Sequence, residues 1–95
     1  NDVVSIGSGT NIQDNTVIHT DEGIKVDIGD NVTIGHKVII HGASVGENTV
    51  VGMGSVVMNH AKIGKNCIIN TNTVIEHEVI IESLDLFFNE LNIYE

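Results

Sequence analysis

The chain has 95 residues, with four Lys and Arg residues against 13 Asp and Glu residues and a formal net charge of −9. This acidity argues against a nucleic-acid partner and against binding to an anionic membrane surface. A chain of this length forms one domain with a small core, which favours oligomerisation. It contains no apolar run of the ~18 residues that a membrane span needs and no basic, apolar leader at its start, so we expect a soluble cytoplasmic protein.

From residue 4 to residue 82, aliphatic residues recur in steps of six, and we call them guide residues. They are Ile6, Ile12, Ile18, Ile28, Ile34, Ile40, Val45, Val51, Val57, Ile63, Ile69, Ile75 and Ile81. The fifth position of each hexad is small or β-branched, which favours short strands. A short fixed period is typical of a solenoid, because one unit cannot bury its own apolar face. Residues 1–82 are therefore predicted to form an all-β parallel solenoid of about four coils, with three hexads in each coil.

Two irregular steps interrupt the repeat, and both lie beside histidines. The step after Ile18 is ten residues long, so Thr20–Asp27 contains a four-residue insertion that must leave the coil as a loop. The step after Ile40 is five residues long and tightens the corner beside His41. Insertions on one face of a solenoid often mark a binding face, which predicts a functional site near this corner.

The repeat stops after Glu82, and the last segment has a helical pattern. Apolar side chains fall at positions i, i+3, i+4 and i+7, namely Leu84, Phe87, Phe88 and Leu91. Ser83 is available as an N-cap. We predict a short amphipathic α-helix within residues 83–95 that covers the end or the side of the solenoid.

Three of the five histidines fall where stacked coils would bring them together. His19 and His41 each follow a guide residue of the third face, so we expect them to stack on adjacent coils and to point outward. His36 follows a guide residue of the second face, across an edge of the prism. Two side chains on strands ~4.8 Å apart can reach one zinc ion. Three solenoids around a threefold axis would let His36 of one subunit meet His19 and His41 of the next, whereas three solvated surface histidines are the alternative.

Residues 11–20, 28–42 and 51–57, including the His-x4-His motif of the second segment, resemble the gamma-class carbonic anhydrase family. That resemblance implies a left-handed parallel β-helix, a hand that the period alone does not indicate, because parallel crossovers are usually right-handed. It also implies a homotrimer that binds one zinc at each subunit interface through His19, His36 and His41, with iron or cobalt as replacements. The activity it implies is the reversible hydration of carbon dioxide to bicarbonate.

The same resemblance implies roles for several polar residues near the first coil. Asn11 and Gln13 would orient water and bicarbonate, and Asp14 would form an ion pair across the interface. Glu22, in the acidic insertion, would carry protons to solvent, with Asp21 as the rival for that role. Ordinary turn residues and solvated loop charges are the alternative at these positions.

The last coil supports a second interpretation. Residues 68–81 resemble the hexapeptide sugar O- and N-acetyltransferases, in which a Glu-His-Glu stretch supplies a general base. This resemblance implies that His77 deprotonates an amino or hydroxyl group that attacks acetyl-coenzyme A, with Glu76 or Glu78 setting the imidazole tautomer. A third interpretation is a metal-binding structural trimer without catalytic turnover.

Overall fold

A computed structural model describes residues 3–82, and this range is built from short β-strands. Thirteen strands of two or three residues follow one another along the described range: β1 (Val4–Ile6), β2 (Asn11–Ile12), β3 (Val17–His19), β4 (Val26–Ile28), β5 (Thr33–Ile34), β6 (Ile39–His41), β7 (Ser44–Val45), β8 (Val50–Val51), β9 (Val56–Val57), β10 (Lys62–Ile63), β11 (Ile68–Ile69), β12 (Val74–Ile75) and β13 (Ile80–Ile81). Each strand contains one guide residue. The predicted helix of residues 83–95 lies outside the described residues.

Every third strand pairs in parallel, which produces three sheets that form the faces of a prism. The first sheet has the order β1-β4-β7-β10-β13, the second β2-β5-β8-β11 and the third β3-β6-β9-β12. Guide residues are register partners, as in the pairing of Ile18 with Ile40. This architecture confirms the predicted all-β parallel solenoid of about four turns, and it is consistent with a left-handed β-helix of hexapeptide repeats. Among residues 3–82, no helix is long and apolar enough to cross a membrane.

The core is a set of aliphatic columns, one behind each sheet. Guide residues from Ile28 onward are buried, and the packed cluster also includes small residues from the fifth hexad position, such as Ala61 and Cys67. Burying an Ile or Val side chain contributes ~1.5–3 kcal/mol, so the repeat itself supplies most of the apolar stabilisation. In the first coil Ile12 and Ile18 are only partly buried against this cluster.

Hydroxyl groups at the fifth hexad position link successive coils. Thr49 Oγ1 donates to the Gly64 carbonyl at 2.7 Å and accepts from the Cys67 amide at 3.2 Å. Ser55 makes the corresponding pair of bonds to backbone groups one coil further on. Each hydroxyl therefore satisfies two corner peptide groups that would otherwise be costly to bury.

The corners between sheets turn through single residues with positive φ. Several of these are asparagines with φ between 56° and 63°: Asn15, Asn31, Asn48, Asn66 and Asn72. Asparagine tolerates this left-handed conformation better than most residues. The corner at His60 has φ 66°, and its imidazole is exposed.

Candidate metal centre

His19 and His41 stack on adjacent strands of the third sheet, as the repeat predicts. The two residues are register partners in the pairing of β3 with β6. Their ring centroids lie 4.5 Å apart at an interplanar angle of 41°. His19 is exposed and His41 is half-buried. Strand spacing thus places two imidazoles side by side on the outer surface, and we call them the histidine pair.

The predicted four-residue insertion is a tight turn, Asp21–Ile24, which we call the insertion loop. Asp21 and Ile24 form an isolated antiparallel bridge, in which the Ile24 amide donates to the Asp21 carbonyl at 2.9 Å. Gly23 supplies the positive φ of 79° that closes the turn. Because β4 begins at Val26, the chain returns to the core directly after the loop, and the turn holds Asp21 beside the histidine pair.

Four side chains form one hydrogen-bonded network at this corner. Asp21 Oδ1 lies 3.2 Å from His19 Nε2, and Asn59 Nδ2 donates to Asp21 Oδ2 at 3.5 Å. His41 Nδ1 lies 2.7 Å from Asn59 Oδ1. Since an amide oxygen only accepts, the neutral form of the His41 ring has its proton on Nδ1 and its lone pair on Nε2. Asn59 therefore sets the tautomer in which His41 Nε2 can bind a metal.

The electrostatics of the network favour an ionised Asp21. Loss of hydration opposes ionisation of this carboxyl group, but the hydrogen bond from Asn59 and the charges of His41 and His19 outweigh it and lower the pKa of Asp21 below its ordinary value of 3.8. At neutral pH the side chain is a carboxylate, which is a hydrogen-bond acceptor and a metal ligand.

Gly42, in the shortened step after Ile40, makes this close approach possible. It is buried and has φ 64°. A Cβ atom there would lie 2.4 Å from Asn59 Oδ1 and 2.5 Å from Ile24 Cγ2. The missing Cβ of Gly42 therefore leaves room for the insertion loop and the Asn59 side chain at the same corner.

The donor set at this corner fits a divalent metal. His19, Asp21 and His41 each offer a ligand atom, and these atoms lie within 4.8 Å of one another. Two imidazoles and a carboxylate suit zinc and other first-row metals. Metal binding at His19 Nε2 would require Asp21 Oδ1 to release that nitrogen or to bind the same ion.

The other predicted site residues do not join this network within one chain. His36 is exposed in the turn after β5, and Asn11 is exposed on β2. Gln13 is half-buried beyond the end of β2, while Asp14 and Glu22 are exposed in turns. Among residues 3–82 none of these five side chains has a hydrogen-bond partner, so all five are available to a ligand or to a second subunit.

His77 lies in the last coil, apart from the histidine pair. It is exposed in the turn after β12, between the exposed side chains of Glu76 and Glu78. Glu78 has φ 67°. Within the described part of the chain, neither glutamate hydrogen-bonds the His77 imidazole.

Asn59 is not among the site residues that the sequence predicts, and Asp21 is among them only as a rival proton carrier. The repeat contains a signal for Asn59, because Asn59 follows His41 by 18 residues, the length of one coil. Asp21 carries no comparable signal. Its position depends on the conformation of an insertion that has no counterpart in the other coils.

Comparison with known proteins identifies the repeat. Residues 42–77 match the family model for the bacterial transferase hexapeptide, six repeats. A hexapeptide transferase family protein of Anaplasma phagocytophilum has 41% identity and a TM-score of 0.80 over 84% of this chain and 46% of its own. A Bacillus cereus protein described as a candidate acetyltransferase has 29% identity and a TM-score of 0.81 over 83% of this chain and 46% of its own.

The chain thus spans slightly less than half the length of each of these two structures. No curated protein matches it significantly. Neither structure is described as a carbonic anhydrase, so the resemblance to that family stays a prediction. What the comparisons show is that residues 42–77 match the hexapeptide-repeat model and that most of the chain is similar in fold to about half of each of these two structures.

Proposed function

We propose that the chain forms a cytoplasmic homotrimer that binds zinc between subunits and catalyses the reversible hydration of carbon dioxide to bicarbonate. The observation that carries this proposal is the stacked histidine pair, whose ring centroids are 4.5 Å apart and whose His41 tautomer is set by Asn59. A solvated surface histidine has no need of such a partner. Iron or cobalt would suit the same imidazole ligands.

An exposed apolar column beside the histidine pair supports assembly with further copies of the chain. On the outer face of the third sheet, Val17 pairs with Ile39, Ile39 with Val56, and Val56 with Val74. Val17, Ile39 and Val74 are 53%, 40% and 38% exposed. Contiguous apolar surface next to polar groups is typical of an interface. A copy packed on this column would lie beside the histidine pair, where its His36 could supply the third imidazole.

When bound, zinc would act as a Lewis acid that activates water for attack on carbon dioxide. In this proposal His19, His41 and His36 of a neighbouring copy hold the ion. Asn59 keeps His41 Nε2 free of a proton. The remaining coordination position stays open for water and substrate.

The polar residues of the first coil take the remaining roles in this proposal. Gln13 and Asn11 orient water and bicarbonate through their amide groups, and the exposed Glu22 carries the released proton to solvent. Asp14, exposed at a turn, forms an ion pair with a neighbouring copy.

A subunit-mixing experiment tests this proposal. Trimers of His36→Ala alone and of His41→Ala alone should each lack carbon dioxide hydration. Mixed trimers should regain activity, because an intact interface forms where a His36→Ala subunit supplies His19 and His41 and a His41→Ala subunit supplies His36. An equal mixture should restore about a quarter of the interfaces. If subunit exchange is demonstrated and activity does not recover, the shared site is contradicted.

The comparisons favour a second candidate, an acetyl-coenzyme A-dependent acyltransferase. The match to a transferase family model ends at residue 77, which is His77, the residue that would act as base. Saturable binding of acetyl-coenzyme A, with acyl transfer that His77→Ala abolishes, would support this candidate. Stoichiometric zinc in a trimer with neither activity would instead support the structural metal-binding trimer.

A further inference from the structure

The insertion loop places a third potential metal ligand within the same chain as the histidine pair. Asp21 Oδ1 lies 3.2 Å from His19 Nε2, and one ligand atom from each of His19, Asp21 and His41 lies within 4.8 Å of the other two. In a tetrahedral zinc site with bonds of ~2.0–2.2 Å, neighbouring ligand atoms are about 3.4 Å apart. The 3.2 Å separation is close to that value, and no two of the three ligand atoms are more than 4.8 Å apart, so modest movements of the side chains would let them share an ion.

The loop holds Asp21 in this position before any ligand arrives. The bridge between Asp21 and Ile24 closes the turn, and Ile24 Cγ2 occupies space beside Gly42 that a Cβ atom would take. On its other side, the Asn59 amide donates to Asp21 Oδ2. Because both the backbone and the carboxylate of Asp21 are held in this way, the side chain loses little conformational freedom on binding a cation.

We propose that Asp21, His19 and His41 form a two-histidine, one-carboxylate metal site within a single chain. This inference rests on the proposed function for the two histidines as ligands. The unassembled chain takes up a divalent cation through these three residues. On assembly, His36 of a neighbouring copy replaces the carboxylate, and Asp21 returns to its hydrogen bond with Asn59.

Binding of Co²⁺ to the full chain tests the inference, because the visible spectrum reports the ligand set without any assay of activity. The His36→Ala variant should bind one Co²⁺ per chain, with an affinity that does not depend on chain concentration. Adding Asp21→Asn should weaken this binding by on the order of tenfold or more, and Asp21→Glu should weaken it less.

Asp27→Asn in the His36→Ala background is the matched control. Asp27 is exposed on β4, and within residues 3–82 its carboxylate makes no hydrogen bond. This variant removes the same charge and should leave Co²⁺ affinity unchanged. Circular dichroism of all variants should show the same β-sheet spectrum, because each altered side chain is at the surface.

The outcomes separate this inference from the proposed function. If His36→Ala binds no Co²⁺ while the native chain does, the single-chain site is refuted and the shared site stands. Equal Co²⁺ affinity in His36→Ala with and without Asp21→Asn also refutes the inference. If the native chain and His36→Ala give identical spectra and affinities at all chain concentrations, the single-chain site stands and the shared site fails.

Discussion

The first two coils and the later coils use the same hexad but differ in what their side chains do. From Val45 to Ile81 the guide residues follow in unbroken steps of six, and the hydroxyls of Thr49 and Ser55 bond to backbone groups. Around the two irregular steps, side chains also bond to one another, in the His19–Asp21–Asn59–His41 network, to which the next coil contributes Asn59. Regular repeats stabilise the prism, and the breaks in the repeat supply the polar cluster.

The long step after Ile18 does not disturb strand pairing, because its added residues lie outside the coil. Ile18 remains the register partner of Ile40 although ten residues separate Ile18 from Ile28. The added residues form the turn at Asp21–Ile24 and leave the guide column intact. A solenoid can therefore gain a polar loop without losing the pairing that holds its strands.

Truncating a guide residue in each region should produce the largest loss of stability. Ile40 and Ile75 are both 0% exposed, so Ile40→Ala and Ile75→Ala should each lower the free energy of unfolding by about 2–5 kcal/mol. Only Ile40→Ala should also weaken metal binding, since Ile40 precedes His41. Urea unfolding and Co²⁺ titration at one chain concentration measure both effects. Equal loss of Co²⁺ affinity in the two variants would contradict the division between the regions.

Removing a histidine should weaken metal binding when the histidine belongs to the network and should not when it lies elsewhere. His41→Ala should lower metal affinity by more than the ~10–100-fold typical of an outer-shell partner, with a small change in stability because the side chain is half-buried. His60→Asn, at an exposed corner with φ 66°, is the control and should leave metal affinity unchanged. Isothermal titration with zinc measures both, and comparable losses in the two variants would argue against the histidine pair as the site.

Asparagine should have different roles in the network and at a corner away from it. Asn59→Ala should weaken metal binding by on the order of 10–100-fold, because His41 loses the acceptor that keeps its proton on Nδ1. ¹⁵N NMR of the His41 ring should then show increased protonation at Nε2. Asn72→Gly, at a left-handed corner of a later coil, should leave the His41 tautomer unchanged. An unchanged tautomer in Asn59→Ala would contradict the positioning role.

Most of the fold and half of the network follow from the sequence. The spacing of guide residues predicts the pairing of Ile18 with Ile40, and with it the stacking of His19 on His41. Asp21 could not be placed in this way, because the conformation of an insertion depends on local packing that a repeat does not encode. In particular, the contact of the insertion loop with the corner depends on the missing Cβ of Gly42.

The hydroxyl links should be more important in the later coils than in the first. Thr49 is fully buried, so Thr49→Val should lower the free energy of unfolding by about 1–3 kcal/mol, as two backbone groups lose their partner. Thr16 makes the same two bonds in the first coil. It is only half-buried, so water can replace part of the hydrogen bonding that its hydroxyl provides. Thr16→Val should therefore cost less. Thermal unfolding compares the two variants. An equal or larger loss of stability in Thr16→Val would contradict the expected difference between the later coils and the first.

The smallest of these expected effects is a loss of stability at low pH that arises in the network region. The pKa of Asp21 is lowered in the folded chain, so its ionisation favours folding above the ordinary value of 3.8 and this contribution is lost as the pH falls below it. Asp21→Asn should remove that part of the pH dependence, whereas Asp27→Asn should not. Urea midpoints between about pH 5 and pH 3 measure the difference. Parallel profiles for the native chain and Asp21→Asn would contradict it.

Each coil pairs only with the coils before and after it. This pattern determines which changes of length such a solenoid can accept. Deleting or duplicating one complete turn between Ile63 and Ile81 would restore the same parallel register at the junction, and the proposed metal ligands and Asn59 would keep their places. A change of a single residue between Ile18 and Ile40 would instead move one imidazole away from the other. Length variation should therefore be tolerated in whole turns beyond the proposed metal centre and resisted within it.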